Sequence, residues 1–214
     1  MRTFFLYLFA AILLYSVGFG QKSKKHEYVY QSEQSALYVG PKFGLNFATF
    51  GGDNSTYFST NTKFIFGGLL GYNIAQNFDL QLELLYYSTG TSYSANGATG
   101  NEGISYLEIV PLAKYNIPVS PIIKIFIVAG PQLGIKLSAN LHQNANSTDT
   151  DISQYVSGTD FDIVFGTGVS FKLGPGNLFT DLRYNIGLSN INKTSPPSNT
   201  NQVFSLGVGY AFYL

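Results

Sequence analysis

The chain has 214 residues, of which 16% are aromatic and only 11% are charged, with 12 basic residues against 12 acidic ones and no cysteine. This length suits a single β-rich domain. The charged residues are too few to cover the surface of an ordinary water-soluble globular protein. A net charge of zero disfavours nucleic-acid binding, and without cysteine the chain has neither disulfides nor a lipoprotein anchor.

The first 20 residues have the three features of a secretory signal peptide. Arg2 supplies the positive start, Phe4–Val17 the apolar stretch, and small residues lead up to Gly20. The apolar stretch is shorter than the roughly 20 residues that a membrane-spanning helix needs. We therefore predict a signal peptide at 1–20 that is cleaved after Gly20, followed by a polar periplasmic N-terminal segment at 21–36.

The remainder, residues 37–214, is divided by seven connections that are alternately long and short. These connections lie at 51–63, 75–77, 91–103, 118–121, 140–158, 174–176 and 190–201. They separate eight segments, each able to reach the roughly 9 to 11 residues with which a tilted strand crosses a bilayer. This rhythm predicts an all-β fold, a closed eight-stranded antiparallel transmembrane barrel of the outer membrane.

Within each segment, bulky apolar residues alternate with glycine, polar and charged residues. In the first segment Phe43, Leu45 and Phe47 share one phase, while Lys42 and Gly44 share the other. An eight-stranded barrel has an interior just wide enough for side chains to fill it. We therefore expect the glycine and polar phase to face the lumen, and the apolar phase to face lipid, where Lys or Arg would cost roughly 2 to 4 kcal/mol.

The lumen is thus predicted to be packed with polar side chains, six of each sign, that neutralise one another in one network. Its members are Lys42, Asp79, Glu83, Glu108, Lys114, Lys124, Lys136, Asp160, Asp162, Lys172, Asp181 and Arg183. Ionisable groups inside a membrane protein are also candidates for a proton or ion path. Because positive and negative side chains are equal in number, a structural network is favoured over a proton or ion path, and we expect no open pore.

The connections indicate the orientation of the barrel. The short turns at 75–77, 118–121 and 174–176 contain proline, glycine or asparagine and are expected on the periplasmic side, together with both chain ends. The long connections are rich in Asn, Ser, Thr and Gly and are expected at the cell surface, where we expect them to form the contact surface. Interface tyrosines are expected at Tyr72, Tyr86, Tyr115, Tyr184 and Tyr210.

Several short motifs resemble one known family. They are Gly40-Pro41-Lys42-Phe43-Gly44-Leu45-Asn46, Leu80-Gln81-Leu82-Glu83-Leu84-Leu85-Tyr86, Tyr106-Leu107-Glu108-Ile109, Ala129-Gly130-Pro131, Gly166-Thr167-Gly168-Val169, Leu182-Arg183-Tyr184 with Gly187-Leu188, and Gly207-Val208-Gly209-Tyr210-Ala211-Phe212. Together they resemble the PorT-like outer-membrane β-barrel proteins of Bacteroidota. The resemblance implies the barrel fold, an outer-membrane location and a link to the protein secretion and gliding machinery of that phylum.

Outer-membrane chains usually end in an aromatic residue that the assembly machinery reads. Tyr210 and Phe212 alternate correctly for this signal, although Tyr213 and Leu214 follow them. We expect recognition through Phe212. The predicted partners are therefore outer-membrane lipid, the barrel-assembly machinery and secretion-complex or surface proteins.

Catalysis and metal binding are disfavoured. His142 shares its connection with Ser147, Asp149, Asp151 and Ser153, so a catalytic triad is conceivable, but polar loops supply such sets by chance. Asp149 and Asp151 are too few for a metal site. We expect no cofactor and no enzymatic activity. The protein is predicted to be a structural or interaction protein that acts through its loops. The alternatives are a component of a secretion machinery and a narrow transport pore.

Overall fold

The computed structural model describes residues 37–52, 58–95, 98–143, 148–191, 193 and 199–214, so the predicted signal peptide and the segment 21–36 lie outside the described residues. The strands are β1 (Leu37–Gly52), β2 (Phe58–Ala75), β3 (Phe78–Ala95), β4 (Ala98–Ser120), β5 (Ile123–Gln143), β6 (Thr148–Asp151), β7 (Thr159–Leu173), β8 (Gly176–Gly187) and β9 (Asn199–Tyr213). In these described ranges no helix is long and apolar enough to cross a membrane.

The eight long strands form a closed barrel. Their order is β4-β3-β2-β1-β9-β8-β7-β5, and pairing of β4 with β5 joins the two ends of the sheet. Every pairing is antiparallel. The predicted closed eight-stranded antiparallel barrel is therefore confirmed. The short β6 pairs with β5 and, as far as the described residues show, lies outside this closed ring.

The apolar phase of each strand faces outward. Phe43, Phe64 and Leu84 are 56%, 70% and 52% exposed, whereas the residues that alternate with them point into the barrel. In water such a surface would be unstable, but hydrocarbon solvates it. The outer wall is consequently a belt suited to a bilayer.

The two ends of the barrel differ in their connections. We call the end with the turns Gln76–Asn77, Pro121–Ile122 and Gly174–Pro175 the turn end, and the opposite one the loop end. Outward tyrosines occur near both. Tyr72 pairs with Leu37 and Tyr115 with Phe78 near the turn end, while Tyr86 and Tyr184 lie nearer the loop end, where they pair with Leu107 and Phe204.

Two predicted connections are largely strand. In the connection 51–63, β1 includes residues 51–52 and β2 includes residues 58–63. The expected loop 91–103 is wrong, because β3 and β4 stay paired from Thr91↔Glu102 to Ala95↔Ala98. Beyond the apolar belt these strands are rich in serine, threonine and glycine, and the hairpin ladder satisfies their backbone groups. The barrel wall therefore projects past the belt at the loop end.

The interior is not purely polar, which corrects the expectation of a polar-packed lumen. Val110 and Leu112 share the lumen phase of β4 with the charged residues, and both are buried. The largest apolar cluster among the described residues lies in the lumen; it consists of Tyr38, Leu69, Leu85, Val110, Leu112, Phe126, Val128, Val164, Phe179 and Ala211. Hydrophobic packing and ion pairs share the lumen because charged side chains alone would leave gaps and unsatisfied groups.

At the loop end, two connections pack on each other and on the barrel wall. Val156, from the connection after β6, and Ile191, from the connection after β8, join an apolar cluster with Ile104 and Tyr106. The Ser157 N–H donates to the Ile191 carbonyl at 2.7 Å. We call residues 148–158 with Ile191 the cap.

Candidate functional site: the charged lumen

A four-residue ion cluster occupies the middle of the lumen. Lys42 Nζ lies 2.8 Å from Asp181 Oδ2 and 3.4 Å from Glu83 Oε2. Arg183 donates to both oxygens of Glu83 at 2.8 and 2.7 Å, and to Asp181 Oδ2 through Nε at 3.0 Å and Nη2 at 2.7 Å. Two positive and two negative side chains, all at most 5% exposed, thus form a neutral unit that we call the central cluster.

Glycine makes room for the central cluster. Lys42, Glu83 and Asp181 come from inward positions of β1, β3 and β8, so their side chains converge from three sides of the barrel. A Cβ at Gly207 would lie 2.4 Å from Asp181 Oδ1 and 2.8 Å from Lys42 Cε. The close approach of these two side chains therefore requires glycine at position 207 of β9.

A second group lies nearer the turn end. Asp79 accepts hydrogen bonds from Asn116 at 3.0 Å and from the Tyr38 hydroxyl at 3.2 Å. Lys114 Nζ is 3.9 Å from Asp79 Oδ2 and lies 4.7 Å from the centroid of the Phe126 ring. Two more rings stand within reach of the same ammonium group, those of Tyr38 and Phe179. Aromatic faces thus stabilise this buried cation where its carboxylate partner is distant.

The loop-end half of the lumen holds three acids without a basic partner. The structure shows no salt bridge from any described residue to Glu108, Asp160 or Asp162. All three side chains are at most 2% exposed. Asp160 accepts from Ser189 Oγ and from Asn201 Nδ2, whereas Asp162 accepts from Gln132 Nε2 at 3.3 Å. We call Glu108, Asp160 and Asp162 the acidic layer.

The three remaining lysines of the predicted network lie at the rims. Lys172 is exposed and Lys124 is partly buried at the turn end. Lys136 lies at the loop end and donates hydrogen bonds to the Ser153 and Val156 carbonyls, both at 2.6 Å. These bonds attach the cap to β5. The twelve charged residues therefore lie at different heights in the barrel: in the central cluster, around Asp79, in the acidic layer and at the two rims. Period-two alternation predicts the face of a residue, but its height also depends on strand tilt and stagger.

The triad residues of the 140–158 connection do not assemble. His142 Nδ1 and Asp149 Oδ1 are 2.7 Å apart in a pair that is largely solvent-exposed. Ser153 Oγ instead accepts the Ala139 N–H, and hydrogen bonds from Ser153 hold the pKa of Asp151 below its usual range. Ser147 lies outside the described residues. Across those residues, no three His, Asp or Glu side chains form a metal-binding group.

The aromatic residues of the expected assembly signal lie on the last strand. The Tyr210 and Phe212 rings are 4.5 Å apart, centroid to centroid, and Phe212 is 44% exposed on the outer wall. The Tyr210 hydroxyl donates to the Leu173 carbonyl beside the turn after β7. Both rings are thus accessible from the lipid side, and their role in recognition stays a prediction.

Sequence reasoning missed the neutral polar residues that connect the charged groups. Gln81 donates to Glu83 at 2.6 Å, and Asn185 donates to Gln132 at 2.8 Å and to the Tyr87 hydroxyl at 3.0 Å. These residues share the inward phase with the charged ones. Their inward phase in the sequence could therefore have identified them, because a buried amide needs hydrogen-bond partners just as a buried charge does.

Comparison with known proteins agrees with this architecture. A family model described as outer membrane protein beta-barrel domain matches residues 21–193. No curated protein matches the chain. The crystal structure of Neisserial surface protein A is similar at a TM-score of 0.55 and 18% identity, covering 84% of this chain and 98% of that chain. OprG from Pseudomonas aeruginosa is similar at a TM-score of 0.50 and 12% identity, covering 84% and 97%. At such identities the likeness to these structures concerns the fold.

Proposed function

Since the chain belongs to the family of outer-membrane proteins with this β-barrel domain, we propose that it acts in that membrane as a non-enzymatic interaction protein whose contact surface is the loop end. The observation that carries this proposal is the cap. Two connections are packed together there and tied to the wall, whereas the turn end consists of tight two-residue turns. A shaped surface on a rigid barrel is a common site for recognition.

The cap presents groups that suit contact with another protein. Tyr155 is 52% exposed, and both of its backbone groups are hydrogen-bonded: its N–H donates to the Ile152 carbonyl of the cap, and its carbonyl accepts from the Lys193 N–H. A rigidly held, exposed tyrosine provides contact area at little entropic cost, which is why tyrosine is enriched at interfaces. Exposed Asp149 beside His142 adds charge to the same surface.

A photo-crosslinking residue at Tyr155 tests the interaction role in the native membrane. We expect discrete protein adducts from position 155 and none from a matched position at Gln76, which is exposed in a turn at the opposite end. Adducts from both positions alike, or from neither, would contradict an interaction surface at the loop end.

We further propose that the loop end faces the cell exterior and that the turn end and both chain ends are periplasmic. The absence of cysteine from the sequence makes this easy to measure. Single cysteines at Gly158 and Gln76, treated in intact cells with a membrane-impermeant maleimide, should give labelling only at position 158. Labelling at position 76 alone would reverse the orientation.

A transport pore is the less favoured function. The central cluster and the apolar cluster occupy the lumen from several strands, and the cap packs on the wall at one end in the described part of the chain. We expect planar-bilayer recordings of the purified protein to show no stable conductance. A reproducible single-channel step that changes size when Arg183 is replaced would support transport instead.

The narrower assignment to the PorT-like group is a second candidate, supported by the motifs quoted above. If it holds, deletion of the gene should remove secreted cargo proteins from the culture medium without a general loss of outer-membrane proteins. An unchanged secretome would leave the interaction role and exclude the secretion role.

We also propose that Phe212 is the residue read during assembly. Phe212→Ala should reduce the amount of folded barrel in the membrane, whereas Phe204→Ala, at a similarly exposed position farther up the same strand, should not. Equal yields of both variants would show that the last strand is recognised by other residues.

A further inference from the structure

Buried oxygen atoms without partners are concentrated in one part of the lumen. Five buried side-chain polar atoms of the described residues have no hydrogen-bond partner. Four of them belong to Tyr106, Glu108, Asp162 and Asn185, in or beside the acidic layer, and the fifth is Asp181 Oδ1. Native proteins leave few such atoms, and each requires an explanation.

The strand register brings these side chains together. Glu108 on β4 pairs with Gly134 on β5, which in turn pairs with Asp160 on β7. A Cβ at Gly134 would lie 2.7 Å from Glu108 Oε1, so the Glu108 carboxyl lies over this glycine in the space that a side chain would fill. Gln132, the next inward residue of β5, bonds both Asp162 and Asn185. The carboxyls therefore converge from two strands on the inner face of β5.

The chemistry of the four atoms is uniform. They are two carboxylate oxygens, one amide oxygen and one phenol oxygen. The amide oxygen is that of Asn185, whose Nδ2 is identified by its hydrogen bonds as the donor. The four side chains are at most 2% exposed. All four can accept or ligate, and only the phenol can donate. Three carboxylates without a basic partner would be strongly unfavourable at this depth as bare charges. Oxygen ligands of this kind, next to excess negative charge, complement a hard cation.

We propose that the acidic layer binds one partly hydrated divalent cation of the Mg²⁺ type, with Glu108 and Asp162 as its carboxylate ligands. Since no three acidic or imidazole side chains in the described part of the chain are placed so that they could hold a metal ion together, a site made only of protein ligands does not fit. Mg²⁺ usually keeps several of its waters and binds through one or two carboxylates. Its waters reach the Asn185 and Tyr106 oxygens, which gives those atoms partners.

Titration with magnesium chloride alone tests the site. The full mature barrel is refolded in detergent without divalent ions, and binding heat and the thermal unfolding midpoint are measured. We expect one saturable site and a rise in the midpoint for the wild type, because a ligand that binds only the folded state stabilises it. Both effects should persist in Asp149→Asn, which changes an exposed carboxylate, and disappear in the double variant Glu108→Gln/Asp162→Asn.

A second measurement needs no variant. Mn²⁺ takes the same octahedral oxygen sites as Mg²⁺ and is paramagnetic. It should broaden the amide NMR signals of Gly134 and Asn185 at concentrations that leave Gly209, in the turn-end half of the lumen, unaffected. Absence of a saturable site in the wild type, binding that survives in the double variant, or uniform broadening would each overturn the proposal. In that case protons, rather than a cation, neutralise the acidic layer.

Discussion

Replacement of Arg183 by methionine should destabilise the barrel strongly. Methionine keeps much of the volume but removes four charge-assisted hydrogen bonds to Glu83 and Asp181. Those two carboxylates, each at most 1% exposed, would then share only Lys42. Breaking a buried ion pair from one side typically costs about 3–5 kcal/mol, because a charge is left uncompensated in a region of low dielectric. We expect a loss of that size in the free energy of unfolding.

The measurement is urea unfolding of the barrel in lipid vesicles, followed by far-ultraviolet circular dichroism. Three variants complete a double-mutant cycle: Arg183→Met, Glu83→Gln and the two together. The central cluster carries a net charge of −1 in the first, +1 in the second and zero in the third. The double variant should therefore lose less stability than the sum of the singles, by a coupling of about 0.5–3 kcal/mol.

A matched control separates burial from charge. Lys193→Met removes an exposed positive charge and should change the unfolding free energy by no more than about 0.5 kcal/mol. If Arg183→Met costs as little as this control, or if the two central substitutions are additive, the central cluster does not act as a coupled unit and our reasoning is refuted.

Three further substitutions probe other parts of the barrel. Gly207→Ala should lower the free energy of unfolding by about 1–3 kcal/mol, because the added Cβ would clash with Asp181 and Lys42. Gly158→Ala is the control and should leave it nearly unchanged, because no atom lies within 4 Å of the added Cβ; equal unfolding curves for the two variants would contradict this. Lys136→Met removes both ammonium bonds to the cap, so limited proteolysis within 148–158 should become several-fold faster while the barrel stays folded. Burial raises the pKa of Glu102, which lies on β4 beyond the apolar belt, from 4.5 to about 7. The folded state therefore holds this proton more tightly than the unfolded state, so the free energy of unfolding falls as the pH rises from about 4.5 to 7. Glu102→Gln should remove this fall, which is on the order of 3 kcal/mol; an unchanged pH profile would show that Glu102 is not its source.

The inward and outward phases could be predicted because both follow from alternation along each strand. Lys42, Glu83 and Arg183 lie on the lumen face as their neighbours in sequence indicate. Val110 and Leu112 were overlooked because an apolar residue on the inner phase of β4 looks like a break in the pattern. The structure shows that such residues fill the gaps between charged groups, so alternation of polarity alone understates how apolar a small lumen is.

The height of each charge could not be predicted from the sequence. Lys136 and Glu108 share the inner phase of adjacent strands, yet Lys136 bonds the cap and Glu108 lies in the acidic layer. Their relative height follows from the register between β4 and β5, in which Glu108 pairs with Gly134 and Lys136 pairs with Tyr106, two residues nearer the loop end. Register is not visible in a single strand, because it is a property of the pair.

The central cluster also bears on how the barrel closes. Lys42 and Asp181 are 139 residues apart, and Glu83 and Arg183 are 100 apart, so these bonds need β1, β3 and β8 to be in place together. A single hairpin cannot form them, and each charged side chain stays hydrated until the others arrive. The cluster therefore stabilises the closed ring rather than its parts. Because the pairing of β1 with β9 links the first and last strands of the barrel, loss of the cluster should favour species in which the hairpins are formed but this seam is open.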